Sequence, residues 1–222
     1  MTTIGFIGSG YIGGTVARLA VAAGYDVVVS NSRGPETLKS LVDELGSKAR
    51  AATATEAAAA GDIVVVSVPF KAYAQLPVAE LAGKVVLDTN NYYPQRDGHV
   101  EALDTKKTTS AELEQQHLAG ARLVKVFNNI NFQHLASLPR PAGAPDRSAL
   151  PIAGDDEAAK KTTTEFLDAI GYDTVDAGPL ADSWRQEPGQ PVYGPPYGTY
   201  ENPVGTPANA ATIREALAAA QR

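Results

Sequence analysis

The chain has 222 residues, 44% of them hydrophobic, with no cysteine and a formal charge of −6. That length carries one substantial core and a small appended lobe, not two full domains. Dispersed basic residues exclude a general nucleic-acid surface, the missing thiols exclude a disulfide framework, zinc–thiolate site or cysteine nucleophile, and His99, His117 and His134 lack metal-ligand spacing.

The chain runs from Met1-Thr2-Thr3 straight into an apolar segment, Ile4 to Ile7, with no charged, cleavable leader. The expectation is a cytoplasmic protein. No membrane partner is expected either, since the apolar runs fall well short of the ~20 residues a bilayer requires. Gly8-Ser9-Gly10-Tyr11-Ile12-Gly13 follows, and then an amphipathic stretch from Thr15 to Ala23. A strand that enters a glycine turn and leaves as a helix aims free N–H groups and the positive helix end at a pyrophosphate. Gly8 permits the turn, Gly10 lets the backbone approach the phosphates, and Gly13 lets the helix pack on the strand. The motif alone also occurs in ordinary loops, but its strand and helix flanks favour a dinucleotide site.

The next predicted strand, Tyr25 to Ser30, ends at Asn31-Ser32-Arg33-Gly34-Pro35. An NAD site usually carries Asp or Glu there to bond the ribose hydroxyls. A hydroxyl donor beside a guanidinium fork binds a 2′-phosphate instead, so NADP is the expected cofactor. The same residues also read as the opening of a helix over Glu36 to Leu45, and the two readings are compatible.

Beyond this unit, Ala51 to Ala60 reads as a short strand and a helix with a small-residue face. Ile63 to Val68, Lys84 to Asp88 and Arg122 to Phe127 are β-branched or apolar runs typical of parallel strands buried on both faces. Thr109 to Glu112 resembles a capping box leading a helix to about Leu118. Leu138 to Arg147 is a surface loop. Leu150 to Ala153 is a short strand feeding a helix capped by Asp155 or Asp156 and running to Ile170, and Tyr172 to Asp176 is an edge strand. Pro188 to Pro207, with Tyr193, Tyr197 and Tyr200, is too rich in Pro and Gly for helix or central strand. Ala208 to Gln221 returns to helix.

Ligands of such sheets lie beyond the carboxyl ends of the strands. The residues there are Ser67-Val68-Pro69-Phe70, Asp88 to Pro94, and Val126 to Asn131. Pro69 and Phe70 suit the flanks of a nicotinamide or flavin-like ring, and Asn90 and Asn128 suit amides or hydroxyls. Lys71, Tyr92, Tyr93 and His134 are the available acid–base groups; His134 has no identified partner, and packing on a local helix is its plainer role. Lys125 lies inside a strand pattern and reads as a satisfied polar residue at its edge. Hydride transfer between cofactors needs chiefly proximity and orientation, so no catalytic side chain is required.

Ile4 to Gly13, Ser30 to Glu36, Val66 to Phe70, Asp88-Thr89-Asn90, Lys125 to Asn128 and Asp176 to Leu180 together resemble the NADPH:F420 oxidoreductase family across roughly residues 4 to 187. The resemblance implies an α/β fold, a Rossmann-type doubly wound, mostly parallel sheet with a small C-terminal lobe. The expected division is an NADP-binding domain over 1–137 and a lobe over 138–222 that completes the substrate cleft. It further implies a homodimer that passes hydride between NADPH and the deazaflavin coenzyme F420. On the matching positions, Ser32 and Arg33 hold the 2′-phosphate beside Asn31, Ser9 to Gly13 the pyrophosphate, and Pro69 and Asn90 the nicotinamide side, with Ser67, Val68 and Asn128 alongside. Ser9 stands where some members have Thr, and Pro191 to Tyr200 has no counterpart in compact relatives. Two other functions stay open: reduction of a small carbonyl or imine by NADPH with Tyr92, Tyr93 or His134 as proton donor, and a non-enzymatic NADP-binding redox sensor that contacts a partner through the Tyr-rich tail.

Overall fold

The β-branched runs form the centre of the molecule. In the computed structural model, which describes residues 2–222, the elements are β1 (Thr3–Ile7), α1 (Tyr11–Ala22), β2 (Asp26–Ser30), α2 (Lys39–Leu45), β3 (Ala49–Ala51), α3 (Ala54–Ala60), β4 (Ile63–Val66), α4 (Val78–Leu81), β5 (Val85–Asp88), α5 (Pro94–Asp97), α6 (Glu101–Asp104), α7 (Ser110–His117), β6 (Arg122–Lys125), α8 (Phe132–Ser137), β7 (Ala149–Gly154), α9 (Glu157–Ala169), β8 (Asp173–Asp176) and α10 (Ala210–Ala218). The strands form one eight-stranded sheet in the order β3-β2-β1-β4-β5-β6-β7-β8. Pairing is parallel except between β6 and β7. After β1 the chain moves outward to β2 and β3, then returns to β4 on the other side of β1, and this reversal opens a crevice at the strand ends.

Every residue of β4 and β5 is buried. Because successive side chains point to opposite faces, Ile4, Phe6, Ile63 and Val65 enter the apolar layer shared with Phe166 and Ile213, while Ile7, Val64 and Val66 enter the layer with Leu81, Leu118 and Leu180. Two capping boxes start helices where the side-chain pattern requires them: Thr53 with Glu56 at α3 and Thr109 with Glu112 at α7. Of the two aspartates that could cap α9, Asp156 does so, and Asp155 instead accepts from the Leu180 N–H at 2.9 Å.

α1 begins at Tyr11, directly out of the glycine turn, rather than at Thr15. The residues after 138 do not form a separate sheet. β7 runs antiparallel to β6 through Val124–Gly154 and Lys125–Ala153, and β8 extends the same sheet to its edge. From there the chain takes a 3₁₀ stretch, Leu180–Gln186, then the Pro- and Gly-rich segment, and α10 packs back on β7 and β8. Val192, Tyr197 and Ala208 anchor that segment in the core, and the Tyr197 hydroxyl donates to the Ala149 carbonyl at 2.8 Å. No helix among the described residues is long and apolar enough to cross a membrane, and no cluster of three or more His, Cys, Asp or Glu side chains among them could hold a metal.

Candidate functional site

The three glycines of the first turn are there for different reasons. Gly8 has φ +95°, and a Cβ at it would stand 2.1 Å from the Ser67 carbonyl oxygen; a Cβ at Gly13 would stand 2.1 Å from that of Gly8. Both are dictated by the protein's own packing. A Cβ at Gly10 would meet nothing within 4 Å, so that position faces open space. α1 starts there with no side-chain cap and no acid in its first turn, which leaves its first N–H groups and the positive end of its dipole directed at the cleft. The turn is tied to the end of β2: Gly8 N and Ser9 Oγ both donate to the Ser30 carbonyl, at 3.1 and 2.9 Å. This is a fit for a pyrophosphate.

On one side of the turn lies a cleft of about 830 Å³ bounded by Gly10, Tyr11, Arg18, Leu41 and Phe132. The rings of Tyr11 and Phe132 stack there with centroids 4.5 Å apart. Arg18 grips Glu44 through two hydrogen bonds of 2.6 and 2.7 Å and holds that carboxyl below its usual range. At the end of β2, Asn31 shapes the loop: its Oδ1 accepts from the Arg33 N–H at 2.9 Å, and its Nδ2 donates to Thr37 Oγ1 at 2.8 Å. Ser32 and Arg33 are exposed. The Arg33 guanidinium has no hydrogen-bond or ion-pair partner among the described residues, while Glu36 folds its carboxylate against Gly34.

On the other side, a cleft of about 440 Å³ brings together Ser67, Val68, Pro69, Asn90 and Asn128, with Gly10 and Tyr11 lining it too. The chain leaves β6 through Phe127, buried and in the left-handed region at φ +65°, a conformation that costs a bulky residue about 1–3 kcal/mol. Beyond it Asn128 Nδ2 donates to Asn91 Oδ1 at 3.0 Å and to the Gln186 carbonyl at 2.7 Å, and Asn91 Nδ2 returns a bond to the Asn128 carbonyl at 2.8 Å. The far wall is aromatic. The Tyr93 and Tyr193 hydroxyls are hydrogen-bonded to each other, Asn91 Nδ2 donates to Tyr193 at 3.3 Å, and Arg96 lies over the Tyr93 ring at 4.9 Å. Burial, and then the bond to Tyr93, push the Tyr193 phenol well up from its ordinary pKa. Tyr193 comes from the Pro- and Gly-rich segment, and its signal in the sequence was the recurrence of Tyr in a stretch unable to form helix or sheet.

Several expected residues lie elsewhere. Phe70 does not flank the cleft; it is buried and stacks on Tyr73 at 4.8 Å. The Tyr92 hydroxyl is committed to a loop, donating to Asp104 at 2.7 Å and accepting from the Val100 N–H at 2.9 Å. His134 lines neither cleft; it is buried on α8, with Nε2 2.8 Å from the Asn202 carbonyl, and so pins the C-terminal segment. Lys125, the last residue of β6, is a satisfied polar group: it is fully buried and paired with the equally buried Asp88 at 2.8 Å, because its strand has no exposed face there to offer its ammonium.

That pair belongs to the floor of the second cleft, where all four polar groups of Asn90 are bonded. Its N–H donates to Asp88 Oδ1 at 2.7 Å and its carbonyl accepts from Lys125 Nζ. Its Oδ1 accepts from the Val68 N–H at 3.0 Å, and its Nδ2 donates to Glu114 Oε2 at 2.9 Å. Glu114 was not singled out from the sequence. The available signal was a helical position facing a strand that carries an interior lysine.

Residues 3–92 match the family described as NADP oxidoreductase, coenzyme F420-dependent. The chain is 30% identical to a hypothetical protein from Sinorhizobium meliloti, SMa0349, over 86% of this chain and 93% of that one, with a TM-score of 0.75. A candidate F420-dependent NADP reductase from Arthrobacter sp. FB24 shares the fold, at TM-score 0.69 and 23% identity over 82% of this chain and 87% of that one. The metalloreductase STEAP3 of Rattus norvegicus is 30% identical over 186 residues, 83% of this chain; the chain spans only 35% of that protein's length.

Proposed function

We propose hydride exchange between NADPH and the deazaflavin coenzyme F420 for this chain, which belongs to the coenzyme F420-dependent NADP oxidoreductase family. The observation that carries the reading is the meeting of the two clefts at Gly10 and Tyr11. Ser32 and Arg33 line neither cleft, but the first cleft reaches Thr37, to which Asn31 ties the loop that carries Arg33; the second ends on Pro69 and Asn90, so together they offer a dinucleotide a path over a helix N-terminus. Ser32 and Arg33 would hold the 2′-phosphate with charge-assisted bonds, the first N–H groups of α1 the pyrophosphate, and Ser67, Val68, Pro69 and Asn90 the nicotinamide. NADPH supplies the hydride. The chain's own residues orient and dehydrate: the Asn91–Asn128 pair and the Tyr93–Tyr193 wall fix the space in which an acceptor would meet the ring, and proximity in such a space supplies much of the barrier reduction.

One observation favours a second reading, reduction of a small carbonyl or imine. The paired phenols of Tyr93 and Tyr193 place O–H donors on the acceptor side, where the heteroatom of such a substrate needs a proton. The two readings are separated by anaerobic mixing of the protein with NADPH and oxidised F420, following the deazaflavin absorbance, with NADH in parallel. Rapid bleaching with NADPH and not NADH is expected. Tight NADPH binding without bleaching overturns F420 as acceptor and directs the search to carbonyls, imines or, if nothing turns over, a sensor. Failure to bind NADPH overturns the nucleotide site itself.

A further inference from the structure

Three ionisable side chains lie beneath the second cleft with no exposure to solvent: Asp88 at the end of β5, Lys125 at the end of β6 and Glu114 on α7, each 0% exposed. Two acids and one base leave an unbalanced negative charge if all are ionised, and an unneutralised carboxylate in a dry interior is heavily penalised. The hydrogen bonds of Lys125 decide which acid keeps its charge. Its ammonium reaches Asp88 Oδ2 at 2.8 Å, the Asn90 carbonyl and Ser110 Oγ at 3.4 Å. Its three N–H groups are thereby used, and none goes to Glu114. Glu114 is held by one neutral donor, Asn90 Nδ2, and its second oxygen, Oε1, has no partner. Burial, and then the charge on Asp88, raise the Glu114 carboxyl to about 8.

The other charged and titratable groups around α7 are engaged elsewhere. On the helix itself Glu112 closes the N-cap, and His117 sets its ring edge-on to Tyr73 from the 70–75 stretch. Glu187 accepts from Ser110 N and Oγ, and Asp182 and Arg185 pair with each other, partly exposed. Lys71 is exposed, and Arg122, at the opposite end of β6 from Lys125, donates to the Gly83 carbonyl. Only Asp88 and Lys125 act as charges on Glu114. Asn90 joins that carboxyl to the cleft. The Val68 N–H can pair only with an acceptor, so it fixes Oδ1 and turns the NH₂ group to Glu114. Since Asn90 itself lines the cleft, one amide separates Glu114 from whatever occupies that space.

We propose that Glu114 is a proton site linked to the oxidation state of a bound nicotinamide, protonated beneath the neutral ring of NADPH and ionised beneath the cationic ring of NADP⁺. The inference rests on the placement of the nicotinamide given above. The charges of Asp88, Lys125, Glu114 and the ring sum to zero in both forms: with NADPH the carboxyl and the ring are both neutral, and with NADP⁺ the carboxylate offsets the ring cation. Binding of NADP⁺ therefore sends the Glu114 proton to solvent, and binding of NADPH leaves it in place. The coupling is reciprocal, so raising the pH must tighten NADP⁺ relative to NADPH.

The test is titration calorimetry of the whole protein with NADP⁺ and with NADPH, near pH 7 and in two buffers of different ionisation heat, which counts protons released on binding. Dissociation constants for both forms are then measured from pH 6.5 to 9.5. The 2′-phosphate is common to both cofactors, so its own titration cancels in the difference. The expected result is a fractional proton released with NADP⁺ and not with NADPH. The affinity ratio should shift toward NADP⁺ by about tenfold across the range, the size of one unit charge felt through a partly polar interior. Glu114→Gln, which keeps a carbonyl for Asn90 Nδ2, should flatten that shift. Equal proton counts with a pH-independent ratio in the wild type overturn the proposal even if the variant does not fold, and an unchanged slope in a folded Glu114→Gln overturns it as well. Failure of both cofactors to bind overturns the nicotinamide placement, and this inference with it.

Discussion

The two arms of the cleft are built from different materials. The proposed phosphate arm is backbone: a glycine turn and an uncapped helix start, with an exposed loop nearby whose guanidinium has no partner among the described residues. The proposed nicotinamide arm is cross-bonded side chain, with Asn90 held on all four polar groups over a buried ion pair and Asn128 tied to Asn91 and Gln186. One arm is shaped by local geometry and waits for charge; the other is shaped by long-range contacts and already holds its charges inside. Substitutions in the first should change binding without touching the fold, and substitutions in the second should change the fold or the pH response.

Lys125→Met tests the second arm most severely. It leaves Asp88 buried without its partner, and the expected loss is about 3–5 kcal/mol of stability in denaturant unfolding; a loss below about 1 kcal/mol would mean that the pair contributes little. Gly10→Val is the converse. A Cβ there meets no protein atom within 4 Å, so the melting temperature should hold while NADPH affinity falls at least about a hundredfold, because the new methyls would occupy the proposed pyrophosphate position. Unchanged affinity would remove the turn from the phosphate site.

Arg33→Ala should weaken NADPH roughly ten- to a hundredfold and leave NADH nearly unmoved, since only the former carries the 2′-phosphate that a guanidinium fork binds. Equal losses would sink the cofactor assignment. Glu114→Gln has a smaller effect with a defined sign. The folded-state value near 8 lies above the roughly 4.3 of an unfolded Glu, so between those values the folded chain keeps a proton that the unfolded chain has lost. The wild type loses stability through this group as pH rises across that window. The variant has no such slope, and its melting temperature should gain a few degrees on the wild type between pH 5 and pH 8. Smallest on the chemistry is His134→Ala: it breaks the contact with Asn202, yet hydride transfer should stay within about threefold, and a loss above about a hundredfold would make His134 a general acid after all.

The same contrast explains what could be read in advance. Gly8 to Gly13 are contiguous, and the turn they form depends on local backbone geometry that a linear reading captures. β1, β4 and β5 announce themselves because strands covered on both faces must be apolar throughout. The floor of the second cleft draws on residues 68, 88, 90, 114 and 125, and its aromatic wall on 93 and 193. No local pattern links such positions. Lys125 reads as a satisfied polar residue, but the sequence does not show its partner, because an interior lysine is rare unless paired and that partner lies 37 positions away. Phe70 and Tyr92 were named from their place at strand ends, and packing then turned one into the core and the other toward Asp104.

The sheet has two free margins, and neither invites another strand. β3 is three residues long, with a charged Arg50 at its centre and Lys48 just before it. β8 carries Asp173 and Asp176, both exposed and held by Arg147 and Lys160. Continuing the sheet into a second molecule at either margin would mean stripping water from these charged side chains, a device by which sheet proteins keep their margins from templating aggregates.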